Sequence, residues 1–154
     1  MNNQTITRYE QGGAQLRQAV AGLSAAEMQA FPIPNTWSIQ QIVMHLMDSD
    51  LIAADRMKRV IAEEMPPLIG YNESKFAAAL FYHQQSVDDA ITLFEVNRRQ
   101  FARVLRQLPP AAFERLGMHN ERGVMTLGKM LEGICGHLEH HLAFIQKKRG
   151  LLNK

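Results

Sequence analysis

One stripe in the last third of the chain carries two histidines where a helix would place apolar residues. Met130, Ile134, His137, His141 and then Phe144 or Ile145 fall at steps of three and four, which is one face of an α-helix. His137 and His141 would project a turn apart, the spacing that offers two imidazoles to one metal ion. Thr126 is the expected N-cap of this helix. A helix with polar rings on its buried stripe must pack against elements that complete or satisfy them, because an unpartnered polar ring in a core is costly.

The remaining elements also read as helices. Residues Thr5 to Leu23 are predicted helical, with Ile6, Tyr9, Leu16, Val20 and Leu23 as the apolar set. Gly12-Gly13 weighs against this, since each Gly costs about 1 kcal/mol relative to Ala inside a helix. Ser24 to Glu27 fits a capping box opening a short helix that stops before Pro32 and Pro34. Ser38 with Gln41 fits a second box. It opens a helix with Ile39, Ile42, Val43, Leu46 and Ile52 inward, running to about Glu64.

Pro66 to Gln85 is the longest irregular connection, with a short helix expected over Ser74 to Tyr82. A connection of that length can cross the bundle and leave the flanking long helices parallel. Ser86 caps a third long helix ending around Leu108, with Val87, Ile91, Phe94, Phe101, Val104 and Leu108 inward and the arginines outside. Gly117 to Gly123 reads as a loop, and no alternating run is long enough for a strand. The expected fold is all-α: a four-helix bundle with a long crossover connection between the second and third long helices. Residues 1–154 are read as one domain, a length sufficient for a proper core.

The third ligand is sought on a second core helix. His45 lies about two turns inside the Ser38-capped helix, on one stripe with Ile42 and Ser49. It fits best, because it alone of the remaining histidines sits deep within a strong helix, and three histidines leave one position open on a tetrahedral ion. His83 and His119 sit in loop-like surroundings and fit less well. His140 is offset by about 100° from His141. A pairing of His137 with His140 stays geometrically open, and chance spacing of two histidines is the competing explanation. Asp48, a turn beyond His45, is either a partner fixing an imidazole tautomer or an exposed carboxylate. Cys135 reads as a small buried residue.

Other chemistries are thinned by absence. Glu-x-x-His occurs nowhere, against a di-iron carboxylate bundle, and His-Glu-x-x-His is missing. There is no phosphate-binding Gly loop and no Gly-x-Ser-x-Gly elbow. One cysteine excludes an internal disulfide framework. A net charge of +2 is too small a margin to imply nucleic acid, and Lys147-Lys148-Arg149 suits a helix C-terminus. No apolar run approaches the roughly 18–20 residues that span a bilayer, and no leader pattern opens the chain. The expectation is a cytoplasmic protein without nucleic-acid or membrane partners.

Four stretches together resemble the DinB superfamily. They are Leu23-Ser24 through Glu27, Trp37-Ser38-Ile39 leading to His45-Leu46, Gly123-Val124-Met125-Thr126-Leu127, and His137-x-x-x-His141 followed by Ile145. The resemblance implies a four-helix bundle of unusual connection order, often dimeric, so a homodimer is expected. It also implies a divalent ion, zinc or nickel, held by three histidines that correspond to His45, His137 and His141. Many relatives have Gln where this chain has Phe144, and Pro66 to Gln85 matches nothing that can be aligned. Some relatives are thiol transferases or isomerases using bacillithiol, mycothiol or glutathione.

The leading expectation is a metal-dependent enzyme acting on a small molecule with a low-molecular-weight thiol. A metal-dependent hydrolase and a non-catalytic binding or stress-response module are the alternatives. No general base can be named from the sequence.

Overall fold

The computed structural model describes residues 3–153. Four long helices form the frame: α1 (Asn3–Val20), α3 (Ile39–Ala62), α5 (Val87–Leu105) and α6 (Leu127–Leu151). Two short ones, α2 (Ala25–Gln29) and α4 (Glu73–Ala79), sit in the connections. The starts follow local chemistry. Ser24 and Ser38 each form a complete capping box with Glu27 and Gln41, and Ser86 and Thr126 cap α5 and α6 through their hydroxyls.

Each long helix packs on two others: α1 on α5 and α6, and α3 on α5 and α6. Helices α1 and α3 are therefore diagonal. Near the start of α3, Gln40 donates to the carbonyls of Tyr82 and Gln85, just ahead of α5. Toward its end, Met57 and Val60 share a core cluster with Phe101 and Leu105. So α3 and α5 run parallel, as a crossover permits. Helix α1 opposes α5, with Arg17 on Glu95 and Glu10 on Arg106, and follows α6, with Thr5 on Glu132 and Arg149 on the carbonyls of Ala19 and Ala21.

The parallel arrangement explains the crossover's length. Helix α3 has 24 residues, about 36 Å at about 1.5 Å per residue, and the chain must return that whole distance before α5 begins. It does so along α3, where Tyr71 bonds Ser49 and Tyr82 bonds Asp48.

Two expectations need correction, and one objection falls away. The loop assigned to Gly117–Gly123 is part of a small sheet. Strand β2 (Leu116–His119) pairs antiparallel with β3 (Gly123–Thr126) and parallel with β1 (Pro67–Leu68). Strands of two to four residues are too short to show alternation, and the sheet is a minor addition to a helical bundle. The arginines of α5 are not all outside either. Arg98 is buried, and its Nε donates to Asp50 on α3 at 2.8 Å. Lastly, Gly12 and Gly13 belong inside α1. A Cβ at Gly12 would lie 2.2 Å from Arg98 Nη1, and one at Gly13 would lie 2.7 Å from Glu95 Cγ. Their cost in helix propensity is the condition for α1 to approach α5 closely.

No helix of the described residues is long and apolar enough to cross a membrane.

Candidate metal centre

The buried stripe of α6 brings Met130, Ile134, His137, His141 and Ile145 toward α3. His45, fully buried on α3, meets the two α6 histidines. One ligand-type nitrogen from each of the three rings lies within 4.8 Å of the others. The closest pair, His45 Nε2 and His137 Nε2, is 3.0 Å apart. Ring centroids are separated by 4.9 Å for His45–His137 and His45–His141, and by 4.7 Å for His137–His141, all edge-on.

This donor set fits a divalent ion. Metal–nitrogen bonds of about 2.0–2.1 Å put ligand atoms of a tetrahedral site about 3.3 Å apart, so only small ring adjustments are required. The protonation states fit as well. Burial is the leading cause in all three rings, pushing His45 down to about 3 and His137 and His141 each to about 4. Neighbouring imidazoles add to it: His137 and His141 act on His45, His141 acts on His137, and His140 acts on His141. At neutral pH the rings are uncharged and present lone pairs, which is what a borderline ion such as zinc or nickel requires.

The surroundings set the rings in place. The Trp37 ring lies tilted against His45, with centroids 4.9 Å apart. Ser49 lies one turn after His45 with its Oγ 3.4 Å from Nδ1, and it shares a 2.5 Å hydrogen bond with the Tyr71 hydroxyl. Burial holds the Tyr71 phenol above its ordinary pKa, so it stays protonated. Asp48 does not orient an imidazole. It accepts from Tyr82 at 2.6 Å and ties the crossover to α3. Among the described residues no carboxylate bonds any of the three rings, and the part expected of Asp48 falls to a serine.

His140 is exposed beside His141, with its ring near Phe144. His83 is exposed in a short 3-10 helix and bonds Gln84. His119 is buried on β2, apart from the three. Cys135 is buried in the core around Tyr9 and Phe101, and burial pushes its thiol up.

Two cavities reach the centre. One of about 150 Å³ opens beside His137, with Ser49, Tyr71 and Ile134 in its wall. The other, about 120 Å³, lies against His141 and is lined by Trp37, Ile42, His140 and Phe144. Sequence reasoning missed Ser49 and Tyr71 as wall residues. Ser49 was detectable, since it lies on the His45 stripe. Tyr71 was not, because only the crossover's path brings it there.

The DinB superfamily profile matches residues 8–145. A protein of Oceanobacillus iheyensis, named as a candidate metal-dependent hydrolase, is 29% identical over 143 residues, covering 93% of this chain and 83% of the relative. YfiT of Bacillus subtilis, named likewise, is 26% identical over 141 residues, covering 91% and 79%. The solved structure of YfiT, described as an unusual four-helix bundle topology, superposes with a TM-score of 0.92 at 24% identity over 97% of this chain and 86% of that one. A mycothiol-dependent maleylpyruvate isomerase superposes with a TM-score of 0.73 at 12% identity, over 93% of this chain and 60% of the other.

Proposed function

Because the chain belongs to the DinB superfamily, we propose that it is a single-domain, metal-dependent enzyme in which His45, His137 and His141 hold one zinc or nickel ion. The observation that carries this reading is the convergence of three uncharged imidazoles from two helices beside an open cavity. When bound, such an ion supplies Lewis acidity and lowers the pKa of a coordinated water or thiol. The protein's own contributions are separate from that. The three rings offer fixed lone pairs, Trp37 shields His45 from water, and Tyr71 holds a proton at the cavity wall.

Hydrolysis of a small substrate is the first reading, supported by the names of relatives at 26–29% identity. Transfer or isomerisation with a low-molecular-weight thiol is the second, supported by the shared fold of the mycothiol-dependent isomerase. The two differ in what occupies the position beside the ion, and the histidines serve either.

The test is elemental analysis of protein purified without a polyhistidine tag, alongside His45→Ala and His141→Ala. Wild type should carry one equivalent of metal after incubation with zinc or nickel, and each variant far less. Wild type without stoichiometric metal defeats the proposal. Full metal in His45→Ala would mean that the third ligand lies elsewhere. Turnover of ester and amide electrophiles, with and without added thiol, then separates hydrolase from transferase.

A further inference from the structure

The cavity beside His137 is also lined by cationic side chains that the metal centre does not use. Ser49, Tyr71 and His137 line it, and so do Arg56, His119 and Arg122. Arg56 reaches it from α3, His119 from β2, and Arg122 from the turn that joins β2 to β3. Three separate segments thus bring two guanidiniums and an imidazole to one cavity of about 150 Å³.

No direct ion pair neutralises these arginines, and Asp55 and Glu121 act on Arg56 only at longer range. Arg8, Arg17, Arg59, Arg98 and Arg106 all stand in ion pairs. Among the described residues, neither Arg56 nor Arg122 does. Arg56 donates through Nη2 to the Ile69 carbonyl, and its Nε is buried without a hydrogen-bond partner. A buried donor left unmade costs free energy that an acceptor would recover. His119 is buried, and its Nδ1 accepts the backbone N–H of Glu121 at 3.2 Å. The neutral ring must then carry its proton on Nε2, a further donor. Glu73 on the rim is exposed, and a solvated carboxylate screens such a site weakly.

The geometry points to an anion-recognition subsite formed by Arg56, Arg122 and His119, which binds a carboxylate or phosphoryl group of a small substrate and presents its reacting end to the three histidines. This rests on the reading of His45, His137 and His141 as a metal centre and names the class of molecule that centre serves. Guanidinium groups match the planar oxygen pairs of such anions and form charge-assisted hydrogen bonds. Tyr71 and Ser49, whose hydroxyls bond each other in the same cavity wall, would contact the intervening part of the substrate.

The test is calorimetric titration of inorganic phosphate and of succinate into zinc-loaded protein and into chelator-stripped protein, at fixed ionic strength with chloride present. Both protein forms should bind at least one of the probes, and the preferred probe identifies the anion. Arg122→Gln, at an exposed position, should weaken binding about tenfold or more, the size of one charge-assisted hydrogen bond. Arg56→Gln combined with Arg122→Gln should abolish it, with zinc content unchanged. Unchanged affinity in Arg122→Gln overturns the subsite, and so does binding that requires zinc but not the arginines. Arginine-dependent binding in a protein that takes up no metal would uphold the subsite and refute the metal centre, so the two ideas fail separately.

Discussion

Helix α3 carries two buried polar centres five residues apart, His45 and Asp50, and they are built in opposite ways. Asp50 is closed. One oxygen accepts from Arg98 Nε and the other from Asn97 Nδ2, and the remaining guanidinium donors reach the carbonyls of Tyr9 and Ile134. The faces of Tyr9 and Phe94 cover the Arg98 plane at 4.6 and 4.3 Å. Burial pushes the Asp50 carboxyl up, while Arg98 and Asn97 pull it down. His45 is open: its nitrogens face two other imidazoles and a serine hydroxyl, with cavities alongside. A closed polar network serves the fold, whereas an open one leaves bonding capacity for something that is not protein.

Acid should expose this contrast most strongly. In metal-free protein each histidine has a folded pKa depressed from about 6.5 to about 4 or below. Folding keeps the rings neutral, so the unfolded chain binds more protons below about pH 6.5. The stability is present above that pH and is lost as pH falls toward 4. One pKa unit is about 1.4 kcal/mol. All three rings act in the same direction, so this loss is the largest expected. Denaturant melts of chelator-treated protein from pH 7.5 to 4 should show that loss. A flat profile would mean that the rings are not buried neutral.

Next in size is the closed centre. Asp50→Ala leaves Arg98 buried and unpaired and should cost about 3–5 kcal/mol in urea unfolding. The double variant Asp50→Leu with Arg98→Met should recover most of that loss, because an apolar pair can replace a buried ion pair. Metal content should be unchanged in the double variant. Recovery without metal would place Asp50 among the groups that support the histidines and erase the distinction.

How much of this was legible follows from range. The capping boxes at Ser24 and Ser38 are written within four residues, so the starts of α2 and α3 could be read directly. His137 and His141 are legible for the same reason, and His45 because it interrupts a strong apolar stripe. Arg98 was misread because a charge on a helix ordinarily faces water. Its partner is 48 positions away, and only packing reveals it. Asp48 could not be decided between an imidazole partner and an exposed carboxylate for a similar reason. Its partner Tyr82 lies in the crossover, whose path no local pattern encodes. The cationic wall was hidden likewise, since Arg56, His119 and Arg122 come from three segments without a shared period.

The smallest expected effect sharpens the open centre alone. A metal that binds the native state and not the unfolded chain stabilises it by mass action, by about 2.7 kcal/mol at a free concentration a hundred times the Kd. Stripping the metal at pH 7.5 should therefore lower the melting temperature, and zinc should restore it in wild type and in the Asp50→Leu, Arg98→Met variant alike. His45→Ala should melt at the same temperature with and without zinc, because its site lacks one of three rings. The sign of the remaining difference is informative. Metal-free wild type holds three neutral imidazoles against one another with one 3.0 Å contact among them. Replacing His45 by Phe, beside Trp37 and Ile42, removes a buried polar ring together with its contact to His137. That variant should be no less stable than metal-free wild type. A marked loss would show that the three rings stabilise the bundle by their own hydrogen bonds, and the site would then resemble the Asp50–Arg98 centre and not its opposite.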